Sequence, residues 1–94
     1  MRPDLQAIEA RIAAALPGAR ICLSDDSHLH AGHTGAQGGA GHYSATVVDQ
    51  RFAGLSRIAR HRLVYDALAD WMPGRIHALA LRTLTLDEAQ AAGL

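Results

Sequence analysis

The sequence contains no lysine and only one cysteine, Cys22. With a single thiol no disulfide can form within the chain, so a reducing compartment is compatible with it. The nine basic residues are all arginine and balance nine acidic residues, which gives no net charge when the histidines are neutral. A domain held to nucleic acid mainly by bulk electrostatics would be strongly basic. The composition argues against that class, although it leaves room for a local basic patch.

Long apolar runs are also missing. No segment approaches the roughly 20 apolar residues of a membrane span, and the opening residues MRPDLQ contain no hydrophobic signal core. We therefore expect no membrane association and a cytoplasmic location. The sequence also lacks a serine or cysteine nucleophile beside a base, and it lacks a phosphate-binding loop. It predicts a protein that is not an enzyme.

The length and pattern predict one small globular domain over residues 1–94, with 49% hydrophobic residues. We expect an α+β fold with the element order α-β-β-α-β-α. The first two strands would pair antiparallel, and a long helix would bring the third strand back parallel, with the helices packed on one face of a three-stranded mixed sheet. Apolar residues on both faces of the third strand predict an interior position for it. The predicted elements are a helix from Asp4 to Pro17–Gly18, strands Arg20–Ser24 and His42–Asp49, a helix from Ser56 to Met72, a strand Arg75–Arg82 and a last helix after Thr85.

Histidine is unusually frequent, with six in 94 residues. The predicted loop from Asp25 to Gly41 holds five glycines together with His28, His30 and His33. Glycine lets a backbone approach a ligand closely, and imidazole binds zinc, copper, nickel and iron. Taken alone, however, such a loop is more often simply solvated, and His77 at the start of a strand is more often a structural residue.

The segment from Phe52 to Thr85 resembles the BolA family. It contains RHRLVYDALAD followed by RIHALALRTLT, and the similarity extends from about Asp4 to Glu88. The resemblance implies a class II KH-like arrangement, in agreement with the predicted element order. It also implies a partner and a cofactor. BolA proteins pair with monothiol glutaredoxins as heterodimers and share with them a 2Fe–2S cluster, which glutaredoxin and glutathione hold on the other side.

The same resemblance implies a set of cluster ligands. One is a histidine at the start of the last strand, which matches His77. The other is a histidine or cysteine from the loop between the first two strands. Counting forward from Ser27 favours His30 for this ligand, whereas counting back from His42 favours His33; both are retained, with His33 preferred. Imidazoles in place of thiolates raise the potential of such a cluster.

The basic helix offers an alternative function. Residues 54–72 begin GLSRIARHRLVY, which has the look of a helix–turn–helix segment, and some BolA proteins are transcriptional regulators through this region. Arginines on one helix can contact phosphates or guanine edges, although such a row is more often a solvated or partner-binding face. We expect Arg57, Arg60, His61 and Arg62 to contribute to the partner face, with DNA binding as the alternative. The sequence leaves self-association open.

Overall fold

The computed structural model describes residues 3–27 and 41–94. In these residues, three helices and three strands follow one another in the predicted order. None of the helices in the described ranges has both the length and the apolar character needed to cross a membrane. The elements are α1 Leu5–Ala15, β1 Arg20–Asp25, β2 Gly41–Val48, α2 Arg57–Leu68, β3 Ile76–Leu84 and α3 Leu86–Ala91, with short 3-10 turns at Gln50–Phe52 and Ala69–Trp71.

Each helix begins at a side-chain cap that the sequence predicts. The Asp4 carboxylate and the Ser56 hydroxyl each accept a hydrogen bond from the backbone N–H three residues later. At α3 the Thr85 hydroxyl accepts from the Glu88 N–H, and the Glu88 carboxylate accepts from the Thr85 N–H. These side chains satisfy backbone N–H groups that have no partner within the first helical turn. The start of each helix is therefore set locally.

The sheet has the order β1–β2–β3, in which β1 is antiparallel and β3 is parallel to β2. This pairing confirms the predicted mixed sheet. The interior position predicted for the third strand is wrong, because β2 is the central strand and β3 lies at an edge. Ala78 and Ala80 look like a second buried face in the sequence, but both are exposed on the side of the sheet away from the core. Small apolar residues do not distinguish a buried face from an open one.

The core lies between the sheet and the helices α1 and α2. Ile8 and Ile12 come from α1, and Val64 and Leu68 come from α2; all four are fully buried. Phe52, which the sequence assigns to a connector, is also fully buried, because the 3-10 turn after β2 directs it inward. The buried cluster consists of Ile8, Ile12, Leu16, Tyr43, Ala45, Val47, Phe52, Val64, Leu68, Ile76 and Leu79.

Candidate metal centre at the end of the sheet

His77 is the extra residue of a β-bulge. Gly41 pairs with Ile76, but the next residue of β2 pairs with Ala78, so the register shifts by one residue at His77. Strict alternation along the strand would place Ile76 and Leu79 on opposite faces. The bulge instead brings both into the core and leaves His77 exposed. A bulge re-aims a side chain in this way because it breaks the two-residue period of the strand.

His42 lies directly beside His77. The centroids of the two imidazole rings are 5.0 Å apart, and the ring planes are inclined by 51°. The side chain of His42 is buried, and the residue is 8% exposed. Its backbone N–H donates to the Ser27 hydroxyl at 3.0 Å, and its carbonyl accepts from the Asp26 N–H at 2.7 Å. The pair therefore combines a buried ring on a well-anchored backbone with an exposed ring.

The chain leaves the described residues at Ser27 and returns at Gly41, at the end of the sheet that carries His77. The two loop ligands named from the family resemblance, His30 and His33, fall between these points and outside the described residues. Both assignments stay predictions. The segment that contains these histidines nevertheless joins β2 at Gly41, and Gly41 pairs with Ile76, the residue before His77.

His77 fits the ligand chemistry of an iron–sulfur cluster. Its imidazole is exposed at the end of the sheet, and imidazole nitrogen is an established ligand of cluster iron. Over residues 3–27 and 41–94, no group of three or more histidine, cysteine, aspartate or glutamate residues could hold a metal ion. His77 could thus serve as one ligand in a set whose other members would come from outside the described residues.

Arg60, one of the four residues predicted for the partner face, is engaged within the fold. Its guanidinium donates to the carbonyls of Leu55 at 3.1 Å and Thr83 at 3.3 Å, and to the Glu88 carboxylate at 2.6 Å. The side chain is only 14% exposed. The guanidinium of Arg60 lowers the pKa of the Glu88 carboxyl below its ordinary value, and the backbone N–H of Thr85 adds to the effect. Arg60 therefore connects α2 with β3 and α3.

The other three predicted residues leave more of their surface accessible. Arg57 and Arg62 are exposed, and His61 is half-buried with its ring edge-on to that of Tyr65 at a centroid distance of 6.2 Å. A shallow groove is lined by Arg57, Ile58, His61, Arg62, Tyr65 and Asp66, and Ile58 is 74% exposed. Sequence reasoning missed Ile58, although it lies off the apolar stripe of α2 and its exposure could have been expected. The groove therefore combines two arginines and apolar surface with the carboxylate of Asp66.

A family model described as BolA-like protein matches residues 12–88 of the chain. The chain belongs to the BolA family. This confirms the family that the RHRLVY and IHALAL segments indicate, and the α+β fold is the one found in BolA structures.

Curated BolA relatives match much of the chain. BolA-like protein 1 of Mus musculus is 38% identical over 83 residues, which are 88% of this chain and 58% of that protein. The DNA-binding transcriptional regulator BolA of Vibrio cholerae is 50% identical over 58 residues, which are 62% of this chain and 55% of that protein. The chain thus spans little more than half the length of these two relatives. The Escherichia coli protein of the same name is 33% identical over 81 residues, with 86% of this chain and 74% of that protein covered.

Solved structures of BolA proteins share the architecture. The solution structure of BolA1 from Mus musculus gives a TM-score of 0.77 at 34% identity, and it covers 95% of this chain and 70% of that one. The BolA domain of SufE1 from Arabidopsis thaliana gives a TM-score of 0.75 at 32% identity, covering 88% of this chain and 92% of that one.

Proposed function

We propose that this BolA-family chain is a non-catalytic adaptor that binds a monothiol glutaredoxin and co-ligates a 2Fe–2S cluster. It would act in the assembly or transfer of iron–sulfur clusters or in iron regulation. The observation that supports this best is the exposed imidazole of His77, on a bulge at the end of the sheet where residues 28–40 join it. The second nitrogen ligand would be His33 or His30. A cytoplasmic location, compatible with the single cysteine, is part of the proposal.

The bulge suits a shared site for two reasons. The exposed ring of His77 is accessible to a partner that carries the remaining ligands, a glutaredoxin thiolate and glutathione. The backbone on either side of it stays in the sheet, because Ile76 and Ala78 both pair with β2. When bound, the cluster would supply a redox centre that can also be transferred to another protein. Since a histidine must be deprotonated to bind a metal, acid should weaken the complex.

Co-expression with a monothiol glutaredoxin, followed by visible absorption and circular dichroism, tests the proposal. We expect a heterodimer with the absorption bands of a 2Fe–2S cluster. His77→Ala should abolish or shift those bands without unfolding the protein, because His77 is exposed. Arg82→Ala is the matched control, because Arg82 is an exposed residue of the same strand. A cluster spectrum that is unchanged by His77→Ala would show that the ligand assignment is wrong.

DNA binding is a second candidate function, favoured by the names of two relatives. The Vibrio cholerae and Escherichia coli proteins are each named a DNA-binding transcriptional regulator. In this chain, Arg57 and Arg62 are exposed on α2, whereas the donors of Arg60 are engaged by Leu55, Thr83 and Glu88. The first two arginines are therefore the better candidates for contacts with phosphate.

The salt dependence of binding to promoter DNA separates the two functions. If α2 contacts phosphates, Arg57→Ala and Arg62→Ala should each reduce the slope of log affinity against log salt by about 1. Arg20→Ala, at an exposed residue of β1 on the opposite edge of the sheet, should leave the slope unchanged. Slopes that are equal in all variants would remove α2 as the DNA-binding element.

A further inference from the structure

The contact between His42 and His77 is left without a role by the proposed function, which uses only His77. The rings are 5.0 Å apart between centroids and tilted by 51°, a geometry within the range of favourable aromatic pairs. Only His77 is exposed; His42 is buried at 8% exposure. The contact therefore joins a buried ring to an exposed ring.

The backbone of His42 is held from both sides. Its N–H donates to the Ser27 hydroxyl, and its carbonyl accepts from the Asp26 N–H. His42 also belongs to the central strand, where it pairs with Ala78, the residue after the bulge. The ring of His42 thus has a defined place in the fold, and the bulge brings His77 against it.

An exposed histidine on a bulge needs a neighbour to select one side-chain orientation. Surface side chains interchange among staggered rotamers, and the bulge removes His77 from the regular alternation of the strand. Groups that orient a metal-binding histidine by a hydrogen bond to its second ring nitrogen typically change metal affinity by about 10–100-fold when they are mutated. A ring packed against that of His77 would restrict the rotamers of His77 before any metal binds.

We propose that His42 is a positioning residue, whose buried ring packs against His77 and holds that imidazole in the orientation used for ligation. His42 acts through this ring contact and not by binding the metal itself. The inference rests on the proposed function for its purpose, but the contact can be tested in the isolated protein. It would make His77 the preset ligand of the pair, to which a histidine from residues 28–40 is added.

Side-chain NMR of the protein without cluster tests the ring contact directly. The χ1 couplings and ring carbon shifts of His77 are compared in wild type, His42→Ala, His42→Phe and the control Arg82→Ala. We expect one dominant His77 rotamer in wild type, Arg82→Ala and His42→Phe, since phenylalanine keeps a ring at the buried position. We expect averaged rotamers in His42→Ala. Backbone spectra identify any variant that fails to fold, and equal rotamer populations in folded His42→Ala and wild type would overturn the proposal.

The loaded heterodimer with glutaredoxin supplies the second readout. Loss of the cluster to a chelator should be about tenfold faster in His42→Ala, the lower end of the range for hydrogen-bonded groups that orient a metal-binding histidine. The rate in His42→Phe should stay close to that of wild type, and the nitrogen couplings in pulsed EPR of the reduced cluster should persist in both. If His42→Ala instead removes a nitrogen coupling, or His42→Phe fails like His42→Ala, the ring-contact role is overturned.

The two hypotheses fail separately. A wild-type heterodimer that holds no cluster would sink the proposed function, while the NMR comparison would still decide whether His42 orients His77. A cluster that depends on His77 but is equally stable in every His42 variant would leave the adaptor function intact and remove the role of His42.

Discussion

At the scale of single residues, Gly41 shows how a missing side chain shapes the end of the sheet. The ring of Tyr43 folds back over residue 41, and a Cβ built on Gly41 would lie 2.5 Å from the Tyr43 ring and hydroxyl. The Tyr43 ring is buried, and its hydroxyl donates to the Pro3 carbonyl at 2.6 Å. The ring cannot swing away without losing this packing. Glycine is therefore required where the chain re-enters the sheet beside the histidine pair.

We expect Gly41→Ala to lower the free energy of unfolding by roughly 1–3 kcal/mol, the usual cost of overpacking a filled site. Urea denaturation measures the change. Gly74→Ala is the control, because a Cβ at Gly74 meets no atom within 4 Å. Equal stabilities for the two alanine variants would contradict the steric argument.

At the scale of elements, α2 covers the outer side of the edge strand β3. The Tyr65 hydroxyl donates to the Leu79 carbonyl at 2.8 Å, and the Arg60 guanidinium donates to the Thr83 carbonyl at 3.3 Å. Carbonyls on an exposed edge would otherwise be available for pairing with another chain. Arg60 also contacts Glu88, so the same side chain attaches α3 to α2.

This attachment predicts a pH dependence of stability. Arg60 lowers the folded-state pKa of Glu88 below its ordinary value of 4.5, so the carboxylate contributes stability above that value. The contribution is lost as the pH falls through the lowered, folded-state pKa. We therefore expect Glu88→Gln to lose less stability than wild type on acidification from pH 5 to about pH 3, where carboxylates with lowered pKa values take up protons.

Thermal unfolding across this pH range measures the difference. Asp87→Asn is the matched control, since Asp87 is an exposed acid in the same helical turn. If wild type and Glu88→Gln show parallel pH profiles, the ion pair does not contribute to the acid sensitivity.

At the scale of the whole molecule, one buried cluster joins α1, the sheet and α2. The connection between β2 and α2 contributes Phe52, which is 0% exposed, to this cluster. The turn that carries Phe52 is set by Asp49, whose carboxylate accepts from the Arg51 N–H at 2.7 Å. A segment without regular strand or long helix therefore supplies the largest fully buried side chain of the described residues.

We expect Phe52→Ala to cost about 3–5 kcal/mol, because the truncation leaves a cavity in the core. Small domains have a total stability of about 5–15 kcal/mol, so the variant should unfold at a clearly lower temperature. Calorimetry or circular dichroism measures the shift. Leu86→Ala, at a residue that is 57% exposed, should change the stability by no more than about 0.5 kcal/mol. A comparably small effect of Phe52→Ala would mean that the core does not depend on this connection.

The sequence by itself determined the order of the elements, the starts of the helices and the family. Asp4, Ser56 and Thr85 cap helices because their oxygens reach N–H groups a few residues away, whatever the rest of the chain does. Pro17–Gly18 likewise ends α1 through a backbone restriction that acts within one turn. The predicted end of the second helix at Met72 is wrong, because α2 ends at Leu68 and a 3-10 turn, Ala69–Trp71, follows before Pro73. The antiparallel and parallel strand pairings also followed, because a long helical crossover returns a strand parallel.

Only the tertiary structure decided which strand is central, how His77 is presented and what lies beside it. These features depend on the register between β2 and β3, whose pairs are separated by more than thirty residues along the chain, as in Gly41 with Ile76. The register shift is set by packing, because it allows both Ile76 and Leu79 to enter the core. No local pattern contains that information. The same holds for Arg60, whose engagement with Thr83 and Glu88 exists only once β3 and α3 are placed against α2.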